Sequence, residues 1–193
     1  MIERGYFSRA LQIVLGDPIT YLGGTLLLLL LSSVTAGLLI GPAICGVVWI
    51  TLKHCRGERV EFADLLRGFD RLGSSVAAGI VFCLPVAAGL AAFILPGIIL
   101  GSLFCFVFAF IVDRNMPLPA ALAASRDLLG EDGGDLLDRC IFFLLVLLVG
   151  ISGAVLLVAG LLFTWPLMWA VVAVAYHDLI ERAPAASSDL PED

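Results

Sequence analysis

Charge is scarce in this chain: 15% of its 193 residues are Asp, Glu, Lys or Arg, while 61% are hydrophobic and the mean hydropathy is +1.07. A soluble domain carries about 25% charged residues, so the composition excludes an ordinary water-soluble fold and defines an integral membrane protein. The shortage is also uneven. No ionised side chain occurs in 18–52, 72–112 or 140–177, tracts of 35, 41 and 38 residues. Metal and disulfide chemistry lack their vocabulary as well. The five cysteines, Cys45, Cys55, Cys83, Cys105 and Cys140, include no CxxC pair, and of the two histidines only His54 neighbours one of them. That excludes a zinc ribbon or a disulfide framework and leaves the thiols as small apolar packing residues.

A helix rises 1.5 Å per residue, so each neutral tract would run to roughly 50 to 60 Å, twice the hydrocarbon core of about 30 Å. Two crossings per tract fit, provided the chain turns near the middle, and breakers stand there: Gly41-Pro42, Pro96-Gly97, and Trp165-Pro166 after Gly160, with Pro42 equally suited to opening the return helix. The predicted fold is an all-α polytopic membrane protein with six transmembrane helices as three helical hairpins. Even crossings return every charged window to one face, and the positive-inside rule puts that face, with both termini, in the cytoplasm. The start, MIERGYFSRA, carries Glu3, Arg4 and Arg9 ahead of the first apolar run, which predicts a retained anchor in place of a cleaved leader.

Before each hairpin lies a short amphipathic stretch: Phe7, Ala10, Leu11 and Val14; then Phe62, Leu65, Leu66 and Phe69; then Leu118, Ala121, Leu122, Ser125 and Leu129. Each ends in glycine followed by an acid, a stop and a new cap. The chain is thus predicted to be one membrane domain, 1–182, built from pseudo-repeats at about 2–54, 58–112 and 117–180, with a disordered cytoplasmic tail over 183–193. Whether the three amphipathic helices lie in the membrane plane or cap the bundle is left open by the pattern alone.

No buried acid or base, nucleophile elbow, phosphate-binding glycine loop or zinc motif is present, so no catalytic residue, metal or cofactor is assigned. EDGGDLLD, 131–138, lacks the ligand order of a calcium loop and reads as a solvated linker. The charge of -6 comes from this segment and the tail, and gives no sign of nucleic acid. The candidate surface is the basic cluster Lys53, Arg56, Arg59, Arg67 and Arg71, placed to meet anionic lipid headgroups. Candidate helix-packing glycines are Gly37 with Gly41 and Gly97 with Gly101, each spaced GxxxG, serving the chain itself or a second copy.

The order GPAICGVVWITLKHCRGERVEFADLLRGF, then LPGIILGSLFCFVFAFIVDRNMPLPAALAASRDLL, then a last segment ending AYHDLIER, resembles the bacterial membrane proteins grouped around the membrane domain of glycerophosphoryl diester phosphodiesterases and the YciC-like proteins. The resemblance covers about 35–180. It implies a six-span membrane domain and transfers no catalytic residue, since the phosphodiesterases' soluble catalytic domain has no counterpart here. The expected function is a non-enzymatic one, engaging lipid or a partner membrane protein to organise or regulate the membrane. The alternative is a carrier or pore for small uncharged solutes or lipid, its path bordered by hydroxyls such as Ser32, Ser74, Ser75, Ser102 and Ser152.

Overall fold

A computed structural model describes residues 5–35, 37–92, 94–131, 136–155 and 157–186. It is all-helical. Helix α1 (Tyr6–Gly16) is followed by a π-helical turn (Ile19–Gly23) that runs on into α2 (Gly24–Val34), and α3 spans Ile40–Cys55. A 3-10 helix (Phe62–Phe69) precedes α4 (Leu72–Ala92), α5 (Ile94–Phe104) and α6 (Val107–Asp113). Helices α7 (Leu118–Glu131), α8 (Leu136–Val155) and α9 (Leu157–Ala186) complete the order. A short amphipathic helix followed by apolar helices therefore occurs three times.

Among the described residues, Leu72–Gly89, Leu95–Asp113 and Leu162–Ile180 are long and apolar enough to cross a membrane. Tyr6–Gly16 and Ile19–Val34 form a fourth candidate if taken together, although they are bent by 88°. Helix α3 is apolar but has only 16 residues, about 24 Å of rise.

The breaks do not fall at the prolines. Gly41 and Pro42 belong to the first turn of α3, and ahead of that helix Gly37 takes φ +83°. Pro96 and Gly97 lie in the first turn of α5, after α4 has ended at Ala92. Pro166 is well inside α9, whose start is Leu157. A proline in the first turn removes an N–H that has no helical partner anyway, so it marks the start of a returning helix better than the turn itself. The tail differs too: α9 continues to Ala186, and 187–193 lie outside the described residues, as do 132–135 of the acidic linker.

The interior is made by the later helix of each triplet. Gly41–Val48 of α3, Val107–Val112 of α6 and Trp169–His177 of α9 are buried, while α2, α4 and α8 turn leucines such as Leu30, Leu84 and Leu148 outward. Rings join the inner helices: Phe110 meets Tyr176 edge-on at 5.0 Å between centroids, and Trp169 meets Phe108 at 5.2 Å. In lipid the outward leucines cost nothing, so contact quality in the interior decides the packing. Small residues let backbones approach there. A Cβ on Gly41 would lie 1.9 Å from the Ser75 carbonyl oxygen, and one on Gly46 would lie 2.1 Å from that of Leu65.

Candidate functional site

The sequence-assigned basic residues gather at the end of the bundle where α3 and α6 finish and α4 begins, but most already have partners. Lys53 Nζ lies 2.8 Å from Asp64 Oδ2, and the same oxygen accepts the Glu61 N–H at 2.8 Å, closing a capping box on the 3-10 helix. Burial opposes ionisation of Asp64, yet the Lys53 bond and the Glu61 N–H together hold its carboxyl below the usual carboxylate range. Arg56 Nη2 donates to Asp113 Oδ1 at 2.5 Å, and Tyr176 Oη donates to Asp113 Oδ2 at 3.1 Å. This nearly buried carboxylate thereby ties the ends of α3 and α6 to α9.

The remaining three are more open. Arg67 pairs with Asp70 at 3.0 Å and stands 5.2 Å above the Trp49 ring. Arg71 Nε donates to Asn115 Oδ1, and Asn115 takes φ 55°, a left-handed conformation uncommon outside glycine. Arg59 is exposed in the loop before the 3-10 helix. The five cations thus divide into two structural ones, Lys53 and Arg56, and three facing outward.

The amphipathic helices divide in a similar way. Ala10 and Val14 of α1, Leu65 of the 3-10 helix, and Ala121 and Ser125 of α7 are buried against the bundle. On α1 and the 3-10 helix, Leu11, Leu15, Phe62 and Leu66 stay exposed, the last two at 48% and 51%. Leu129 belongs to the third stretch, but its side chain lies outside the described residues. The packing glycines are used within the chain: Gly41 meets the α4 backbone, a Cβ on Gly89 would lie 2.8 Å from Gly97 Cα, and one on Gly101 would meet the Phe143 ring. Gly37 faces open space.

Several residues escaped sequence reasoning. Asp113 and Asn115 flank the end of a neutral tract and carried no more signal than other boundary charges. Arg139 counted as one such charge, yet it is 1% exposed, its Nη2 reaches the Ser125 carbonyl at 3.3 Å, and its guanidinium sits 5.2 Å from the Phe106 ring. Ser125 Oγ donates in turn to the Leu103 carbonyl at 2.8 Å, so this small residue fastens α7 to α5. The hydroxyls singled out for a path are largely satisfied nearby: Ser75 bonds the Gly68 carbonyl, Ser102 that of Ile99 and Ser152 that of Val149. No protein-family model, curated protein or solved structure matches the chain.

Proposed function

We propose that the protein crosses the bilayer six times as three hairpins and acts without catalysis, its amphipathic helices seated in the headgroup plane of one leaflet to engage anionic lipid and organise the membrane around it. The observation that carries this is the 88° bend between Tyr6–Gly16 and Ile19–Val34. If α2 runs across the bilayer, α1 lies along its surface. There Leu11 and Leu15 meet the acyl boundary while Arg9 stays at the polar level. The 3-10 helix repeats the arrangement, with Phe62 and Leu66 outward beside Arg59, Arg67 and Arg71. The threefold order of elements supports the hairpin plan, and the sequence resemblance to a six-span membrane domain agrees with it. A bacterial cytoplasmic membrane, with the basic end inside, is the setting this reading assigns.

Spin labels at Leu11 and Phe62 in reconstituted vesicles test it. Both should relax strongly with oxygen and weakly with a water-soluble nickel chelate; the reverse order would make these helices aqueous caps and end the in-plane reading.

A second reading has its own support. The hydroxyls of Thr25 and Ser32 on α2 and of Thr164 on α9 are buried without a hydrogen-bond partner, and α2 touches α9. Polar groups of that kind suit a path for a small uncharged solute. Solute-dependent swelling of proteoliposomes that is lost in Ser32→Ala with Thr164→Val would favour passage over organisation.

A further inference from the structure

The turn between the 3-10 helix and α4 faces the loop after α6 across a cleft of about 500 Å³. Its polar lining is Arg67, Gly68, Asp70, Arg71, Ser75 and Asn115. The volume lies within the roughly 300 to 1,000 Å³ of small-molecule sites. Donors dominate the lining. Arg71 spends Nε on Asn115 Oδ1, which leaves both of its Nη groups and the Asn115 amide nitrogen to donate elsewhere. Among the described residues Arg71 has no carboxylate partner, whereas Arg67 shares Asp70. Helix α4 begins at Leu72, so its first N–H groups have no partner inside the helix, and its positive end flanks the cleft. The one acid, Asp70, is already engaged by Arg67.

Two guanidinium groups, an amide and a helix start against a single paired carboxylate make a site for a group with several anionic oxygens. The site is also held in shape. Ser75 is buried and donates to the Gly68 carbonyl at 2.9 Å, fixing the turn, and the left-handed Asn115 backbone is retained where its side chain steadies Arg71. A cleft of about 450 Å³ recurs at the corresponding corner of the first triplet, where Arg9, Gln12 and Gly16 of α1 face His54 and Cys55 at the end of α3. There the arginine is committed: Arg9 Nη1 lies 2.7 and 2.8 Å from the two Asp178 oxygens. Of these two corners, the second keeps a guanidinium in reserve.

We infer that the cleft between the start of α4 and the end of α6 binds a phosphate group, with Arg71 as its main ligand and Asn115 as the residue that positions it. The source is a phospholipid head, because Leu66 and Leu72, the sequence neighbours of the lining residues Arg67 and Arg71, expose apolar surface where acyl chains would pass. The lipid as source rests on the in-plane reading above; the phosphate chemistry does not.

Delipidated full-length protein in a neutral detergent is titrated with phosphatidylglycerol, phosphatidylcholine and inorganic phosphate, with occupancy followed by native mass spectrometry and calorimetry. Saturable uptake of one phosphatidylglycerol is expected. Arg71→Gln should weaken it about tenfold, the loss expected for a charge-assisted bond. Arg71→Lys should recover part, and Arg59→Gln should stay within about twofold. Asn115→Gly relaxes the backbone but removes the bridge, so it should weaken uptake several-fold without lowering the melting temperature; should Arg71→Gln fail to fold, this variant and Arg71→Lys carry the test. Binding of inorganic phosphate alone with the same dependence on Arg71 supports the phosphate site and overturns the lipid as its source. Equal weakening by Arg59→Gln and Arg71→Gln overturns the cleft and leaves the diffuse headgroup reading standing. No preference for phosphatidylglycerol in any variant, and no phosphate binding, removes both.

Discussion

One oxygen of Asp64 serves two partners, closing the capping box through the Glu61 N–H and pairing with Lys53, which joins the 3-10 helix to the end of α3. Removing it in Asp64→Ala loses a cap and a largely shielded ion pair, together about 1 to 2 kcal/mol. The loss carries a pH signature. Because the folded carboxyl titrates below its unfolded value of about 3.9, its contribution is present in full above that value and disappears as pH falls through the lower, folded one. Thermal melts in detergent should therefore separate wild type from Asp64→Ala by a constant margin from neutral pH to about pH 5, with the margin closing below pH 4. A margin at pH 3 no smaller than at neutral pH would show that the carboxylate charge is not what Lys53 and Glu61 recognise. At the same scale the basic cluster divides. Lys53 and Arg56 look like Arg71 in sequence, but their partners Asp64 and Asp113 lie 11 and 57 residues away, a pairing that only the fold brings about.

At the scale of the helices, small residues rather than charges set the geometry. Gly41 and Gly73 are alike in composition terms and opposite in environment: a Cβ on Gly41 would strike the Ser75 carbonyl in α4, while one on Gly73 meets nothing within 4 Å. Gly41→Ala should cost about 1 to 3 kcal/mol by forcing α3 and α4 apart. Gly73→Ala, in the first turn of α4, should stabilise by up to about 1 kcal/mol through the loss of unfolded freedom. Opposite shifts in melting temperature are the expected result, and shifts of one sign would mean that the α3–α4 contact does not limit stability. The helical class and the long apolar helices were readable because apolar periodicity and gap length are local properties. The break positions were not, since Pro42 and Pro96 are compatible with a helix's first turn as well as with the loop before it. Nor was the layering. Helices α2 and α3 are both apolar in sequence, and nothing in a run of leucines against a run of Gly, Ala, Val and Ile declares which faces lipid until Gly41 and Gly46 are seen against neighbouring backbones.

For the whole molecule, the number of crossings turns on the first triplet. Among the described residues, length and apolarity alone give three candidate spans, or four with the bent pair, and α3 at about 24 Å is shorter than a hydrocarbon core of about 30 Å. Yet α3 is the most completely buried helix of the first triplet, packed against α4, α6 and α9, of which α4 and α9 carry spans in their own right. A short helix enclosed by longer ones can still cross, because its neighbours, rather than lipid, surround its ends and local thinning covers the remainder at a modest cost per ångström. The loops at its two ends decide the matter. Leu38, 52% exposed in the α2–α3 reversal, and Glu58, exposed just after α3, are each replaced by cysteine in a background lacking the native five. A membrane-impermeant maleimide applied to sealed vesicles of known orientation should modify Leu38→Cys from one face only and Glu58→Cys from the other. If both react from the face that bears the basic residues, α2 and α3 form a re-entrant pair. The in-plane placement of α1 would then lose its reference axis, because the 88° bend would no longer be measured against a helix that crosses.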